Sequence, residues 1–257
     1  MPAAPKRSQG TETIMSRPTK AMVLAAGLGK RMQPLTDTMP KPMVRLGRRP
    51  LIDHVLDRLA AAGITEAVVN VHYRAEVLEQ HLVSRTGEPQ IVISDERDAL
   101  LDTGGGLVRA LPLLGADPFV IHNSDSVWLE GPKANLDALF DAWDGERMDG
   151  LLLLASTARA LGYDGYGDFT MDEMGRLARR REGMSAPFVF AGVSVVHPRL
   201  FTGSREEAFS LNRFWDQAIA AGTLYGLRLD GFWMHVGTPS ALEEAENALR
   251  HGEPYSA

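Results

Sequence analysis

The sequence predicts an α/β fold: a single domain built on a mostly parallel sheet with flanking helices. Two observations predict it. Short apolar runs alternate with segments of helical period over residues 20–122, the pattern left by strands joined through crossover helices. Beyond residue 17 no internal repeat, low-complexity block or linker divides the chain, so 18–257 reads as one domain behind a disordered tail over 1–17.

The elements follow in order. Residues 21–26 form an apolar run closed by Gly27, a buried parallel strand entering a loop. Over 51–62, Leu51, Ile52, Val55, Leu56 and Leu59 fall on one helical face, and Gly63 is a stop signal. A strand at 67–71, a helix at 75–83, a strand at 90–94, a helix at 106–114 and a strand at 119–122 repeat the alternation. The second half is more mixed. It reads as a helix at 135–143, a strand at 150–156, a hairpin of 167–171 with 176–180, and a strand at 188–196. A helix at 212–221, a strand at 224–229 and a closing helix at 240–250 complete it. Right-handed crossovers bring the carboxyl ends of parallel strands to one edge, as in Rossmann-like folds, so ligand chemistry belongs after Gly27 and after His122.

Of 257 residues, 44% are hydrophobic and 23% charged, the composition of a soluble globular protein with a substantial core. A net charge of −6 argues against nucleic-acid binding and against docking on an anionic membrane. The absence of cysteine excludes disulfides, zinc thiolate sites and thiol nucleophiles. No apolar run approaches the length of a membrane span, and residues 1–17 lack the apolar core of a secretory signal. A cytoplasmic monomer or homodimer is the expectation, with Met15 as an alternative start.

The chemistry concentrates in three segments. The first is Leu24-Ala25-Ala26-Gly27-Leu28-Gly29-Lys30-Arg31-Met32, followed by Pro34-Leu35-Thr36 and Pro40-Lys41-Pro42. Small residues after a strand let backbone N–H groups approach phosphate oxygens, and Lys30 and Arg31 add positive charge. Two prolines stiffen the backbone around Lys41, so its ammonium is placed with little further ordering. The glycine spacing is neither that of a P-loop nor GxGxxG. The second is Asp102-Thr103-Gly104-Gly105-Gly106, where glycines ahead of a helix leave backbone donors free, or else form a flexible turn. The third is His122-Asn123-Ser124-Asp125-Ser126 at a strand end, where a carboxylate suits a hard cation such as Mg²⁺. Taken alone, such an aspartate is more often a turn former or helix cap than a ligand; its position downstream of the Gly27 loop reverses that.

Together these segments resemble the opening signature of the sugar-1-phosphate nucleotidyltransferases, and the resemblance runs from Lys20 to about Leu249. Within that family the chain looks closest to the N-acetylmuramate-1-phosphate uridylyltransferases. The short length, Thr103-Gly104-Gly105-Gly106 and Pro187-Phe188-Val189-Phe190-Ala191-Gly192 leading to His197-Pro198-Arg199-Leu200-Phe201 support that placement. The resemblance implies a nucleotide-diphospho-sugar transferase fold and transfer of a uridylyl group from UTP to a sugar 1-phosphate, with Mg²⁺ and release of pyrophosphate. It implies that Leu24, Ala25, Ala26 and Gly27 line the base and ribose. Gly29, Lys30 and Arg31 then hold the triphosphate, and Lys41 contacts the reacting phosphates. Glu96 and residues 102–105, including Gly104 and Gly105, lie beside the base. Asn123 contacts the nucleotide and Asp125 binds the metal. Gly167, Asp168 and Gly192 are the sugar candidates, and Arg31, Lys41 and Asp125 the catalytic set.

Two departures stand out. Relatives carry a second metal-binding aspartate just before Gly-Thr-Pro, where this chain has His235. Imidazole suits softer transition metals better than Mg²⁺, so His235 is either a weak or water-mediated metal partner or a structural histidine. Relatives also carry a Glu-x-Lys segment whose lysine grips the sugar phosphate; the region here reads Leu177-Ala178-Arg179-Arg180-Arg181. Which arginine substitutes is left open. The rival functions are transfer to another base or sugar (mannose, glucose, phosphocholine) and a non-catalytic nucleotide-sugar sensor.

Overall fold

The structure, a computed structural model, describes residues 17–251. The expected tail therefore lies outside the described residues except for Arg17, which pairs with Asp137 and Asp141 at 3.0 Å each.

The chain opens with β1 (Lys20–Leu24), a minor hairpin of β2 (Arg45–Leu46) and β3 (Arg49–Pro50), and helix α1 (Leu51–Ala61). Strand β4 (Glu66–Val71), helix α2 (Ala75–Ser84), strand β5 (Gln90–Asp95), helix α3 (Asp102–Leu114) and strand β6 (Phe119–Asn123) follow. These four long strands lie in the order β6-β1-β4-β5, all parallel. The chain moves outward from β1 through β4 to β5 and then returns to β1's other side as β6. That reversal opens a crevice at the carboxyl ends of β1 and β6, where open α/β sheets bind ligands.

The remainder is β7 (Ser126–Glu130), α4 (Asn135–Ala142), β8 (Gly150–Ser156), β9 (Phe169–Met171), β10 (Leu177–Arg179) and β11 (Phe188–Val196). It closes with α5 (Asn212–Ala221), β12 (Leu224–Arg228), β13 (Gly231–His235) and α6 (Pro239–His251). Strand β11 joins the sheet antiparallel to β6, with Val193 opposite His122, and carries β8 and β9 on its other flank. Strands β8 and β12 pair parallel.

Packing follows the period of each segment. Leu51, Ile52, Val55, Leu56 and Leu59 of α1 are fully buried, as the spacing predicts. With α2 and α4 they cover one face of the sheet, while α3 and α5 cover the other. Each buried Leu or Ile is worth roughly 1.5–3 kcal/mol over an exposed one. Among the described residues no helix is long and apolar enough to cross a membrane.

Four strands escaped the sequence reading: the minor hairpin of β2 and β3, and the pair β7 and β13. Strands β7 and β13 form their own antiparallel ribbon, with His235 opposite Ser126. A side-chain bond from Trp233 Nε1 to Ser126 Oγ, 107 residues apart, ties them further, and no local signal reports such a partner. Helix α3 also starts earlier than residue 106, at Asp102, and takes all three glycines into its first turns.

Candidate active site

A cleft of about 540 Å³ opens at the reversal point of the sheet. Leu24, Ala25, Ala26, Gly27, Gly29, Lys30, Arg31, Lys41, Glu96, Asn123 and Asp125 all line it. The loop after β1 is shaped by tight turns. Gly29 has φ +64°, and the Thr36 hydroxyl donates to its carbonyl at 2.9 Å. A Cβ on Gly29 would lie 3.0 Å from Thr36 Cγ2 and 3.2 Å from Lys41 Cβ, so only glycine lets the two halves of the loop meet without displacement. That contact sets Lys41 against the start of the loop.

Lys41 Nζ donates to Asp125 Oδ2 at 2.5 Å, in a pair with both side chains mostly shielded from solvent. His235 Nδ1 is 3.8 Å from the same oxygen. Burial pushes the Asp125 carboxyl up, but the Lys41 ammonium, joined by His235 when that ring is protonated, outweighs it and holds the group below the usual carboxylate range. Burial pushes His235 down; Asp125 opposes this, while Lys41 and Arg31 add to it, so the imidazole is neutral near pH 7. The indole of Trp233 stacks beside His235 at 5.8 Å. Arg31 and Lys30 make no ion pair among the described residues and line the cleft as uncommitted cations. Arg31, Lys41 and Asp125 thus face one space, with His235 beside them.

The wall around Glu96 is less open than the sequence suggested. Glu96 is fully buried: Oε1 accepts from Asn70 Nδ2 at 2.7 Å and Oε2 from the Leu101 N–H at 3.4 Å. Burial raises its pKa despite those bonds. Asn70 in turn accepts the Ala25 N–H at 2.6 Å. The chain Ala25–Asn70–Glu96–Leu101 ties the β1 loop to the start of α3, and Glu96 supports the wall rather than offering a free oxygen. Asn70 is the positioning residue the sequence reading missed; its only signal is a lone amide in the apolar run Ala67-Val68-Val69-Asn70-Val71.

Gly104 and Gly105 do not leave their donors free. Both N–H groups point at the Phe209 carbonyl, at 2.8 and 3.3 Å. A Cβ on Gly105 would come 2.0 Å from the Glu207 carbonyl oxygen. The glycines are small because the 207–211 segment presses on α3, and neither lines the cleft; Asp102 and Thr103 do. Asp102 sits at φ 57°, a left-handed conformation rare for a residue with a side chain.

The sugar candidates gather at the neighbouring sheet edge but outside the cleft lining. Gly167 (φ +80°) donates its N–H to Tyr163 Oη at 3.0 Å and accepts from Arg180 Nε at 3.0 Å. Asp168 Oδ2 accepts from the Phe190 N–H at 2.9 Å. A Cβ on Gly192 would lie 3.0 Å from Asn123 Nδ2, so this glycine packs directly against a residue of the cleft lining. Two of the arginines separate: Arg179 is committed to Asp216 at 2.7 Å and to Asn212, whereas Arg180 donates to the carbonyls of Gly167 and Met184, lies 5.9 Å from the Tyr166 ring, and has no carboxylate partner among the described residues.

The family described as nucleotidyl transferase matches residues 20–182. The chain is 46% identical over 235 residues to an N-acetylmuramate alpha-1-phosphate uridylyltransferase of Caulobacter vibrioides, covering 90% of this chain and 97% of that one. A protein of the same description from Neisseria meningitidis is 32% identical, covering 88% and 96% of the two chains. In fold, a UDP-glucose pyrophosphorylase from Acinetobacter baumanii matches with a TM-score of 0.76 at 18% identity, over 92% of this chain and 95% of that one.

Proposed function

The chain belongs to the nucleotidyl transferase family, and we propose that it transfers a uridylyl group from UTP to N-acetylmuramate 1-phosphate, releasing pyrophosphate. The observation that carries the choice of base and sugar is the 46% identity, across nearly the whole of both chains, to the uridylyltransferase of Caulobacter vibrioides. A place in cell-wall sugar recycling is part of the same proposal.

A phosphate oxygen of the acceptor attacks the α-phosphorus of UTP. The new P–O bond forms as the bond to the β-phosphate oxygen breaks, and the electron pair leaves with pyrophosphate. The nucleophile is already ionised near neutral pH, so no general base is needed. The protein's task is to hold two anions together and offset charge at the crowded phosphorus. The small-residue loop of 24–29 brings backbone close to the nucleotide, while Arg31 and Lys41 supply positive charge. Arg180, beside Gly167 and without a carboxylate partner among the described residues, is the arginine proposed to take the acceptor's phosphate.

The donor set fits Mg²⁺ carried in with the triphosphate. Such ions bind through one or two carboxylates plus phosphate oxygens and water. Asp125 is held ionised at the cleft, and no cluster of three or more His, Asp or Glu fit for a metal exists among the described residues. Asp125 would hold the ion and His235 would contact it through water. When bound, Mg²⁺ supplies Lewis-acid neutralisation of the phosphate charge.

Pyrophosphate release with UTP and N-acetylmuramate 1-phosphate, set beside N-acetylglucosamine 1-phosphate and beside GTP with mannose 1-phosphate, tests this reading. The first pair should give the highest kcat/KM. A higher value for another pair reassigns the substrate, and binding without release from any pair marks a nucleotide-sugar sensor.

A further inference from the structure

The loop over residues 161–168 runs from His235 to the edge that carries Gly167, and both of its ends are docked. At its start the Leu161 carbonyl accepts the His235 N–H at 2.9 Å, and the Leu161 N–H donates to the Trp233 carbonyl at 3.1 Å. A Cβ on Gly162 would lie 2.4 Å from the His235 carbonyl oxygen, so the backbone leaves His235 in direct contact. At its end the Tyr166 carbonyl accepts the Ala186 N–H, and the Asp168 N–H donates to the Phe188 carbonyl, at 2.7 Å each. Asp168 Oδ2 takes the Phe190 N–H, two residues before the Gly192 that packs on Asn123 of the nucleotide cleft. The loop therefore spans the distance between the metal side of the cleft and the acceptor edge.

Tyr163 fills the turn. Its half-buried ring lies 6.3 Å from that of Trp233, and the chain folds back until the Gly167 N–H donates to its hydroxyl at 3.0 Å. A Cβ on Gly165 would fall 2.4 Å from that oxygen, and one on Gly167 would fall 2.2 Å from the Ala186 carbonyl oxygen. Glycine at both places lets the backbone close around the phenol. Burial first and the Asp168 carboxylate second raise the phenol's pKa, against the opposing Gly167 N–H and Arg180, so the hydroxyl stays un-ionised near pH 7.

Gly167 has no side chain to anchor it and sits at φ +80°. Among the described residues its N–H has one partner, Tyr163 Oη, and its carbonyl accepts Arg180 Nε at 3.0 Å. Hydroxyl, glycine and guanidinium thus form one hydrogen-bonded chain, and the aim of Arg180 depends on where the phenol holds the glycine. We propose that Tyr163 is a positioning residue for the phosphorylated acceptor, acting through Gly167 on the Arg180 guanidinium. This role rests on Arg180 taking the acceptor's phosphate, as proposed above.

Tyr163→Phe keeps the ring against Trp233 and removes only the oxygen that Gly167 bonds. Pyrophosphate release from the full chain, with whichever nucleotide and acceptor it turns over fastest, should show the acceptor KM raised about fivefold, the scale of one lost hydrogen bond. The nucleotide KM and the urea unfolding midpoint should stay at the parent values. Arg180→Ala should raise the acceptor KM further, and Tyr163→Phe should add almost nothing to it in that background, because the two side chains act as one unit. An unchanged acceptor KM in Tyr163→Phe, beside a raised one in Arg180→Ala, overturns the role of the tyrosine and leaves the acceptor reading of Arg180 standing. Full additivity of the two substitutions, or both KM values rising together with a lower midpoint, also overturns it, the latter marking a merely structural tyrosine. An unchanged acceptor KM in Arg180→Ala removes the acceptor from this edge altogether, and the positioning role falls with it.

Discussion

A carboxylate taken out of water stays ionised only beside positive charge, and Asp125 has the Lys41 ammonium at 2.5 Å. Removing either member of the close pair leaves the other shielded and uncompensated, and removes a group proposed to act at the phosphates. Lys41→Ala and Asp125→Ala should each lower turnover about a hundredfold or more, read as pyrophosphate release from protein whose circular dichroism matches the parent. Near-normal turnover in either would refute their roles. Asn70 works through its neighbours instead. Asn70→Ala strips partners from the Ala25 N–H and from buried Glu96, which should cost about 1–3 kcal/mol in denaturant unfolding and raise the KM for the nucleotide. An unchanged KM would show that the amide supports stability alone.

Among the elements, α3 shows how packing overrides a plausible local reading. Three successive glycines look like a phosphate-approaching loop, yet they sit inside the helix with the Phe209 carbonyl taking two of their N–H groups. Gly105→Ala should therefore destabilise the fold by about 1–3 kcal/mol through overpacking against Glu207, visible as a lower unfolding midpoint, with nucleotide affinity little altered in the folded fraction. A selective loss of nucleotide binding at full stability would restore the donor role. Helix α1 behaves oppositely. Its apolar period is strict and its buried face follows from the spacing alone.

Taken whole, the molecule stores an acid sensitivity in its interior. His122 is fully buried, its Nδ1 donates to the Asn123 carbonyl at 2.8 Å, and its ring stacks beside Trp128 at 5.6 Å. Burial lowers its pKa to about 3, so the unfolded chain takes up a proton near the ordinary histidine pKa while the native state does not. Stability is therefore retained above about pH 6.5 and lost as pH falls from there toward 3, by about 1.4 kcal/mol per pH unit. Half-buried His54, also lowered chiefly by burial, acts in the same direction. Urea unfolding at pH 7 and pH 5 should show a smaller loss in His122→Gln than in the parent; equal losses would place the proton elsewhere. The sequence by itself determined the parallel half of the sheet, because each strand and helix there announces its buried face through a local period. It also picked out the Gly27 loop, Lys41 and Asp125, which lie in compact motifs at strand ends. Only the tertiary structure decided which polar groups are left unengaged and which are spent. The ribbon of β7 and β13 that brings His235 to Asp125, the glycines consumed by Phe209, and Arg180 rather than Arg179 beside Gly167 all depend on long-range partners. A hydrogen-bonding group's availability is a property of what the folded chain sets against it, and no window of sequence contains that neighbour.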